Sequence, residues 1–287
     1  MAIRAGFIGL GNIGLPMAKR LVAAGLATTV HDVVAERVRE LEAAGAHTAR
    51  TPRELAAASD VIGICVRDDA DVRATALGTD GALAGAAAGS VIAIHSTVQP
   101  STVLEVAGAA AALAVGVVDA CITGGAAGAA AGTLTVMAGG DAAHVERAKP
   151  FFQCFANRVV HTGPLGSGCK VKLCNNLMTY LAWIAAYESM LLARAAGLPQ
   201  QTLEEVTASN GNLSDPMRAF LALYKTPAAT RRSDAFQAMM RGFVEIAEKD
   251  LAATLALARE CGVALPGTAL ASQIMARVYD LDDEGRR

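Results

Sequence analysis

Residues 6 to 14 read Gly6-Phe7-Ile8-Gly9-Leu10-Gly11-Asn12-Ile13-Gly14. The setting gives this Gly-x-Gly-x-x-Gly pattern its weight. An apolar run, Ile3 to Ile8, precedes it, and a helical pattern of Leu15, Ala18, Leu21 and Val22 follows. Gly9 suits a tight turn out of a strand, Gly11 lets backbone approach a pyrophosphate, and Gly14 lets the helix pack closely on the strand. Together with Leu10, Asn12 and Ile13 they would hold dinucleotide phosphates at the helix N-terminus, where amides and dipole favour anions. The competing reading is a glycine-rich turn in some other α/β protein.

Asp32 follows a second apolar run, Ala27 to Val30. A carboxylate at the tip of a second strand accepts hydrogen bonds from the ribose hydroxyls of NAD and repels the extra phosphate of NADP. Val33 and Val34 offer that phosphate no cation, although Arg37 could reach back from the next helix. NAD is therefore the preferred cofactor over NADP. Asp32 could also cap the helix expected at 35 to 44.

The chain has 287 residues, room for two domains. A formal net charge of -2 points to no nucleic-acid or membrane-surface partner. The longest uncharged apolar stretch, Val106 to Val118, contains two glycines and is too short for a bilayer. No signal-peptide pattern precedes the first strand. The six cysteines lack C-x-x-C spacing and read as small buried hydrophobes in a reducing compartment. The five histidines are isolated. A cytoplasmic, metal-free protein is expected.

Apolar runs at 3–8, 27–31, 61–66, 91–95, 115–121, 133–138 and 157–161 alternate with alanine-rich helical stretches. That alternation predicts a mostly parallel sheet with helices on both faces. Beyond Gly168 the pattern changes. Leu173, Leu177, Tyr180, Ile184, Tyr187 and Leu191 recur at helical spacing until Gly197-Leu198-Pro199. This predicts a helix of about 30 residues, about 45 Å long, acting as a strut between two halves. Helices follow near 200–209, 216–224, 233–260 and 266–280. The domains are set at 1–162, α/β, and 163–287, all-helical, with fraying expected from Asp282 to Arg287.

Three further stretches could carry chemistry. In Asp119-Ala120-Cys121-Ile122-Thr123-Gly124-Gly125, two glycines after a hydroxyl offer consecutive amides to an anion, or form only a flexible turn. In the glycine-rich entry to the long helix, Lys172 and Asn176 share a face, whereas Lys170 points elsewhere. Lys172 is either surface charge or, lowered by partial burial, a proton donor. Lys249, beside Asp250, either faces the cleft or is solvated.

The chain resembles the β-hydroxyacid dehydrogenases, the family of 3-hydroxyisobutyrate dehydrogenase and tartronate semialdehyde reductase. The resemblance runs nearly end to end, through GLGNIGLPMAKRLVAAG at 9–25, HST at 95–97, DACITGG at 119–125, GTLTVMAGG at 132–140, GPLGSGCKVKLCNN at 163–176 and KDLAATLALA at 249–258. It implies a Rossmann N-terminal domain, an all-α C-terminal domain joined by the long helix, and NAD(P)-dependent oxidation of a small β-hydroxy acid. By position, Lys172 matches the family's catalytic lysine and Asn176 the asparagine that orients substrate or lysine. Thr123, Gly124 and Gly125 match the Ser-Gly-Gly that holds the substrate carboxylate. Thr97 matches a residue near the nicotinamide ribose, and Lys249 a lysine lining the cofactor site. Val66 and Arg67 occupy the place of a Leu-Pro pair against the cofactor.

Some positions depart from the family pattern. Thr123 stands for serine, and Cys121 for the usual proline. His95 sits where an acid is common beside the cofactor, or is a plain strand-end residue. Asp71 stands where an asparagine often contacts cofactor. Ala126 and Ala127 offer no polar group to the far end of a substrate, which suits a small or apolar tail. The expected substrate is a small hydroxy acid or its semialdehyde. The alternatives are an imine reductase-like enzyme, whose kind usually lacks the lysine, and a non-catalytic NAD-binding module. The apolar long helix predicts a homodimer or homotetramer.

Overall fold

The computed structural model describes residues 3–283. Residues 284–287, part of the segment expected to fray, lie outside the described residues. The chain divides into two units, Met1–Lys172 and Leu173–Arg287.

The first unit holds strands β1 (Arg4–Ile8), β2 (Ala27–His31), β3 (His47–Thr48), β4 (Val61–Ile64), β5 (Val91–Ile94), β6 (Gly116–Thr123), β7 (Leu134–Gly139) and β8 (Ala156–Gly163). They form one sheet in the order β3-β2-β1-β4-β5-β6-β7-β8. Every pairing is parallel except β6 with β7. Its helices are α1 (Gly14–Ala23), α2 (Ala35–Ala43), α3 (Pro52–Ala57), α4 (Asp69–Leu77), α5 (Pro100–Ala111), α6 (Gly125–Ala131) and α7 (Ala142–Phe152). β3 is the strand the apolar runs do not foretell. It has two residues, both exposed, and sits at the sheet edge, where no buried face demands an apolar pattern.

The central strands read VIGI and VIAI and are buried throughout, as strands covered on both faces must be. Successive side chains point to opposite faces. Val61, Val91 and Ala93 join a core with Met17 and Leu21 of α1 and Phe151 of α7. Ile62, Ile64, Ile92 and Ile94 join a second core with Leu55 of α3, Val72 of α4 and Val103 of α5. The architecture is a Rossmann-type doubly wound sheet.

Helix α8 (Ser167–Ala195) starts in this unit and continues into the second. The second unit adds α9 (Gln200–Ser209), α10 (Asp215–Ala222), α11 (Ala228–Arg231), α12 (Asp234–Glu260) and α13 (Pro266–Val278), with no strand among the described residues. Its core gathers Tyr180, Met190, Phe220, Tyr224, Val244, Leu251, Met275 and Tyr279, with Trp183 packed against it. The long amphipathic repeats thus become helices close to the expected bounds.

His95, just past β5, is buried against the aromatic side chains of the first core. It is 2% exposed and stacks on Phe7 and Phe151, with Phe152 and Phe155 edge-on. Its Nδ1 lies 2.7 Å from the Ala120 carbonyl oxygen. Burial pushes its pKa down from 6.5 to about 4. The unfolded imidazole takes up a proton below about 6.5, and the folded one does not until about 4. Stability present above pH 6.5 is therefore lost as pH falls toward 4, by about 2 kcal/mol at pH 5. His95→Phe should remove this loss. The urea midpoint followed by circular dichroism should fall less between pH 7 and pH 5 in the variant than in the parent.

Candidate active site

Strands β1, β2, β4, β5 and β6 run parallel, so all five end at one edge of the sheet. At that edge stand Gly9 to Gly14 after β1, Asp32 after β2, Val66 and Arg67 after β4, Thr97 after β5, and Thr123 at the end of β6. The strand order reverses direction between β1 and β4, the position where open α/β sheets form a ligand crevice.

Each glycine of the fingerprint excludes a side chain, or leaves space, for its own reason. Gly9 has φ +91°, and a Cβ there would lie 2.2 Å from the Cys65 carbonyl oxygen. A Cβ on Gly14 would lie 1.9 Å from the Gly9 oxygen. At Gly11 nothing lies within 4 Å, which leaves the backbone open to a bulky anion. No side chain caps the start of α1, so its first amides remain available to phosphate oxygens. These residues fit a dinucleotide.

Asp32 is held by the same loop. One oxygen accepts from the Leu10 amide at 2.5 Å and the other from the Val34 amide at 2.7 Å. An Arg37 nitrogen lies 3.8 Å away. Val34, not Asp32, occupies the cap position of α2. A carboxylate has about four acceptor positions, so two amides leave room for ribose hydroxyls.

Ser96 ties the next two loops together. Its hydroxyl donates to the Val66 carbonyl at 2.9 Å and accepts from the Val66 amide at 2.8 Å. Val66 is thereby fixed relative to half-buried Thr97. The Arg67 side chain is exposed and pairs with Asp71 at 3.0 Å, so the acid at 71 faces its own helix-start arginine.

Strand β6 and helix α8 meet through a buried carboxylate. Asp119 is fully buried. It accepts from the Gly166 amide at 2.9 Å and the Cys169 amide at 2.7 Å. Two residues along the strand, the Cys121 sulfur lies 3.7 Å from that of Cys169. Burial pushes the Asp119 carboxyl above the usual carboxylate range, and the two amides pull it back. Beyond Thr123, Gly124 and Gly125 are exposed with φ +123° and +65°. On α8 Lys170 is exposed, whereas Lys172 is half-buried. Two residues apart, the two lysines lie on nearly opposite faces of the helix.

In the second unit Asp250, 2% exposed, anchors a polar cluster. It accepts from Asn176 Nδ2 at 2.7 Å, the Tyr180 hydroxyl at 3.0 Å and Lys249 Nζ at 2.8 Å. Burial and the Asp250 charge push the Tyr180 phenol up, so it stays a neutral donor. Sequence reasoning assigned no role to Asp119, Asp250 or Ser96. The available signal was a charge inside the apolar strand VVDACIT, and another at the core phase of α12, alongside Val244, Ala247 and Leu251.

The cysteine expectation needs correction. Cys121 and Cys169 are buried and Cys65 and Cys154 half-buried, but Cys174 and Cys261 are exposed. Cys174 lies on the outward face of α8, and Cys261 just past the end of α12, where no core face selects a small hydrophobe.

Residues 4–163 match the family described as the NAD binding domain of 6-phosphogluconate dehydrogenase. Residues 166–286 match the one described as NAD-binding of NADP-dependent 3-hydroxyisobutyrate dehydrogenase. The chain belongs to the β-hydroxyacid dehydrogenase family. It is similar to 3-hydroxyisobutyrate dehydrogenase of Pseudomonas aeruginosa, 33% identical over 97% of this chain and 93% of that one. An NAD-dependent L-serine dehydrogenase of the same organism is 39% identical over 72% of this chain and 70% of its own. The structure of Mycobacterium tuberculosis 3-hydroxyisobutyrate dehydrogenase with L-serine superposes with a TM-score of 0.81 at 29% identity, covering 96% and 94%. A variant imine reductase of Myxococcus stipitatus, at 19% identity and a TM-score of 0.66 over 98% and 94%, shares the fold alone. As a β-hydroxyacid dehydrogenase the chain is an NAD(P)-dependent oxidoreductase. No helix among the described residues is long and apolar enough to cross a membrane.

Proposed function

We propose that this chain interconverts a small β-hydroxy acid of the 3-hydroxyisobutyrate type and its semialdehyde, with Lys172 as the general acid–base. One arrangement carries the reading. The strand ending at Thr123-Gly124-Gly125 is clamped to the first turn of the helix bearing Lys172. The Thr123 hydroxyl and the amides of Gly124 and Gly125 hold the substrate carboxylate. Lys172 takes the hydroxyl proton on oxidation and returns it to the carbonyl oxygen on reduction. Asn176, held by Asp250, orients the reacting group. Residues 9–14, Asp32, Val66, Arg67, Thr97 and Lys249 bind the dinucleotide, which supplies hydride acceptance and return. Ala126 and Ala127 suit a short, apolar tail, in keeping with relatives named for 3-hydroxyisobutyrate and L-serine. The division of labour is 1–162 for cofactor and 163–287 for substrate and assembly. The change of family description between 163 and 166 supports it. We place the protein in the cytoplasm, where its thiols would stay reduced.

Lys172→Ala should lower kcat about 10²- to 10⁴-fold while NADH binding, read by nucleotide fluorescence, persists. Full turnover by that variant removes Lys172 from the mechanism. Turnover of a cyclic imine with NADPH, and none of any short hydroxy acid, would move the chain to the imine reductases. Cofactor binding without turnover of either would make it a non-catalytic module.

NAD is the proposed cofactor over NADP. The support is the Asp32 carboxylate at the end of β2, with no cation at Val33 or Val34 and with Arg37 already beside that acid. Val33 is 95% exposed, so an arginine fits there. A charge-assisted hydrogen bond contributes about 1.5–3 kcal/mol, and 1.4 kcal/mol is about tenfold. Asp32→Asn with Val33→Arg should therefore shift the NAD to NADP ratio of kcat/KM at least about tenfold toward NADP. An unchanged ratio removes Asp32 as the selector.

We also propose a homodimer or homotetramer. Met178, Leu192, Ile246 and Leu270 of the second unit leave half or more of their surface exposed, apolar area that association would cover. Light scattering after size exclusion should give a mass at least twice 29.3 kDa. A monomer at assay concentration would overturn this.

A further inference from the structure

We infer that Asp119 is a positioning residue, setting where Lys172 stands relative to Thr123 by docking the start of α8 onto β6. The inference rests on the roles proposed above for those two residues.

Three observations in the first unit carry it. The first is the bonding of a fully buried carboxylate. Asp119 spends one oxygen on the Gly166 amide and the other on the Cys169 amide, at 2.9 and 2.7 Å. These belong to the unsatisfied donors that open any helix, and a carboxylate there also meets the positive end of the dipole. The cap of α8 thus comes from a strand 47 residues away in sequence.

The second is the closeness of the seam. A Cβ on Gly168 would lie 2.5 Å from the carbonyl oxygens of both Asp119 and Met137. A Cβ on Gly139 would lie 2.4 Å from an Asp119 carboxylate oxygen. The helix start rests on backbone at both points, and any side chain there would lift it away.

The third is direction. Asp119 holds residues 166 and 169, and Cys121, further along β6, meets Cys169. Strand and helix therefore advance the same way from the clamp. Thr123 is four residues beyond Asp119 on one, and Lys172 three beyond Cys169 on the other. A strand rises about 3.3 Å per residue and a helix about 1.5 Å. Both proposed substrate groups thus sit within a few residues of one rigid joint. An error in that joint passes straight into their separation, and a misplacement of about 1 Å can cost about 10² in rate.

The test uses the full-length enzyme with Asp119→Asn, Asp119→Ser, Gly168→Ala and, as reference, Lys172→Ala. Asparagine keeps the shape but turns one oxygen into a donor facing an amide. Serine keeps one acceptor. The alanine at 168 disturbs the same seam from the helix side and leaves the carboxylate in place. The expected result is kcat down about 10²-fold at saturating hydroxy acid. KM for NAD and the dissociation constant for NADH should stay within about twofold, and hydrogen exchange should rise at the amides of Gly166 and Cys169. Folded Asp119 variants with kcat within twofold of the parent would overturn the inference. So would a parallel loss of NADH binding and kcat, or failure of all three seam variants to fold, since either makes Asp119 a general stability residue. Failure of the underlying reading looks different: Lys172→Ala would then keep the parent kcat.

Discussion

A parallel sheet delivers the ends of its strands to one edge, and this constraint organises the first unit. Six strands, β1 to β6, finish there, and a short loop follows each. β7 and β8 run the other way. The chain therefore leaves β8 at the opposite edge and must climb back along the sheet. Helix α8 makes that climb, starting beside Asp119 in mid-strand and advancing with β6. The one antiparallel pairing in the sheet thus has a consequence for chemistry. It lets a helix rise toward the edge where the cofactor fingerprint lies, carrying a lysine in its second turn.

Each unit has a buried carboxylate that gathers donors, Asp119 in the first and Asp250 in the second, and neither is inexpensive. Moving an ionised acid out of water costs several kcal/mol unless donors replace the lost hydration. Asp119 meets that requirement with two backbone amides and Asp250 with an amide, a phenol and an ammonium. Removing either acid would strand donors in a dry place, a larger loss than the net worth of the bonds themselves. Such sites resist drift. A donor that can be satisfied in only one arrangement keeps its segment there, and reaction geometry demands that restraint.

The fold was legible because burial imposes periodicity. Strands covered on both faces must be continuous apolar runs, and a helix with one buried face must repeat at three and four residues, so β1, β4, β5, α8 and α12 could be read directly. β3 could not, since two exposed edge residues carry no such pattern. Spacing alone separated Lys170 from Lys172, for two residues on a helix are about 200° apart. The glycine fingerprint carried its own geometry. The two buried acids were harder to see. A lone aspartate in an apolar strand says that it needs partners, but those partners are backbone amides 47 and 50 residues away, and amides look alike in every sequence. His95 carried two readings, a residue beside the cofactor and a plain strand-end residue, and its surroundings were not legible, because Phe7 and the Phe151, Phe152 and Phe155 group that pack on it lie far from it in sequence.

Cys121 shows how a departure from the family pattern can leave the joint intact. At residue 121 strand β6 pairs with Met137 of β7, its register with β5 having ended at Asp119. The buried cysteine side chain lies under the helix. There its sulfur touches that of Cys169, whose own amide is bonded to Asp119. The first turn of α8 is thus gripped twice by one face of β6, through hydrogen bonds at residue 119 and soft apolar contact at residue 121. With both contacts in place, the lysine one turn further on has little freedom in where its backbone stands.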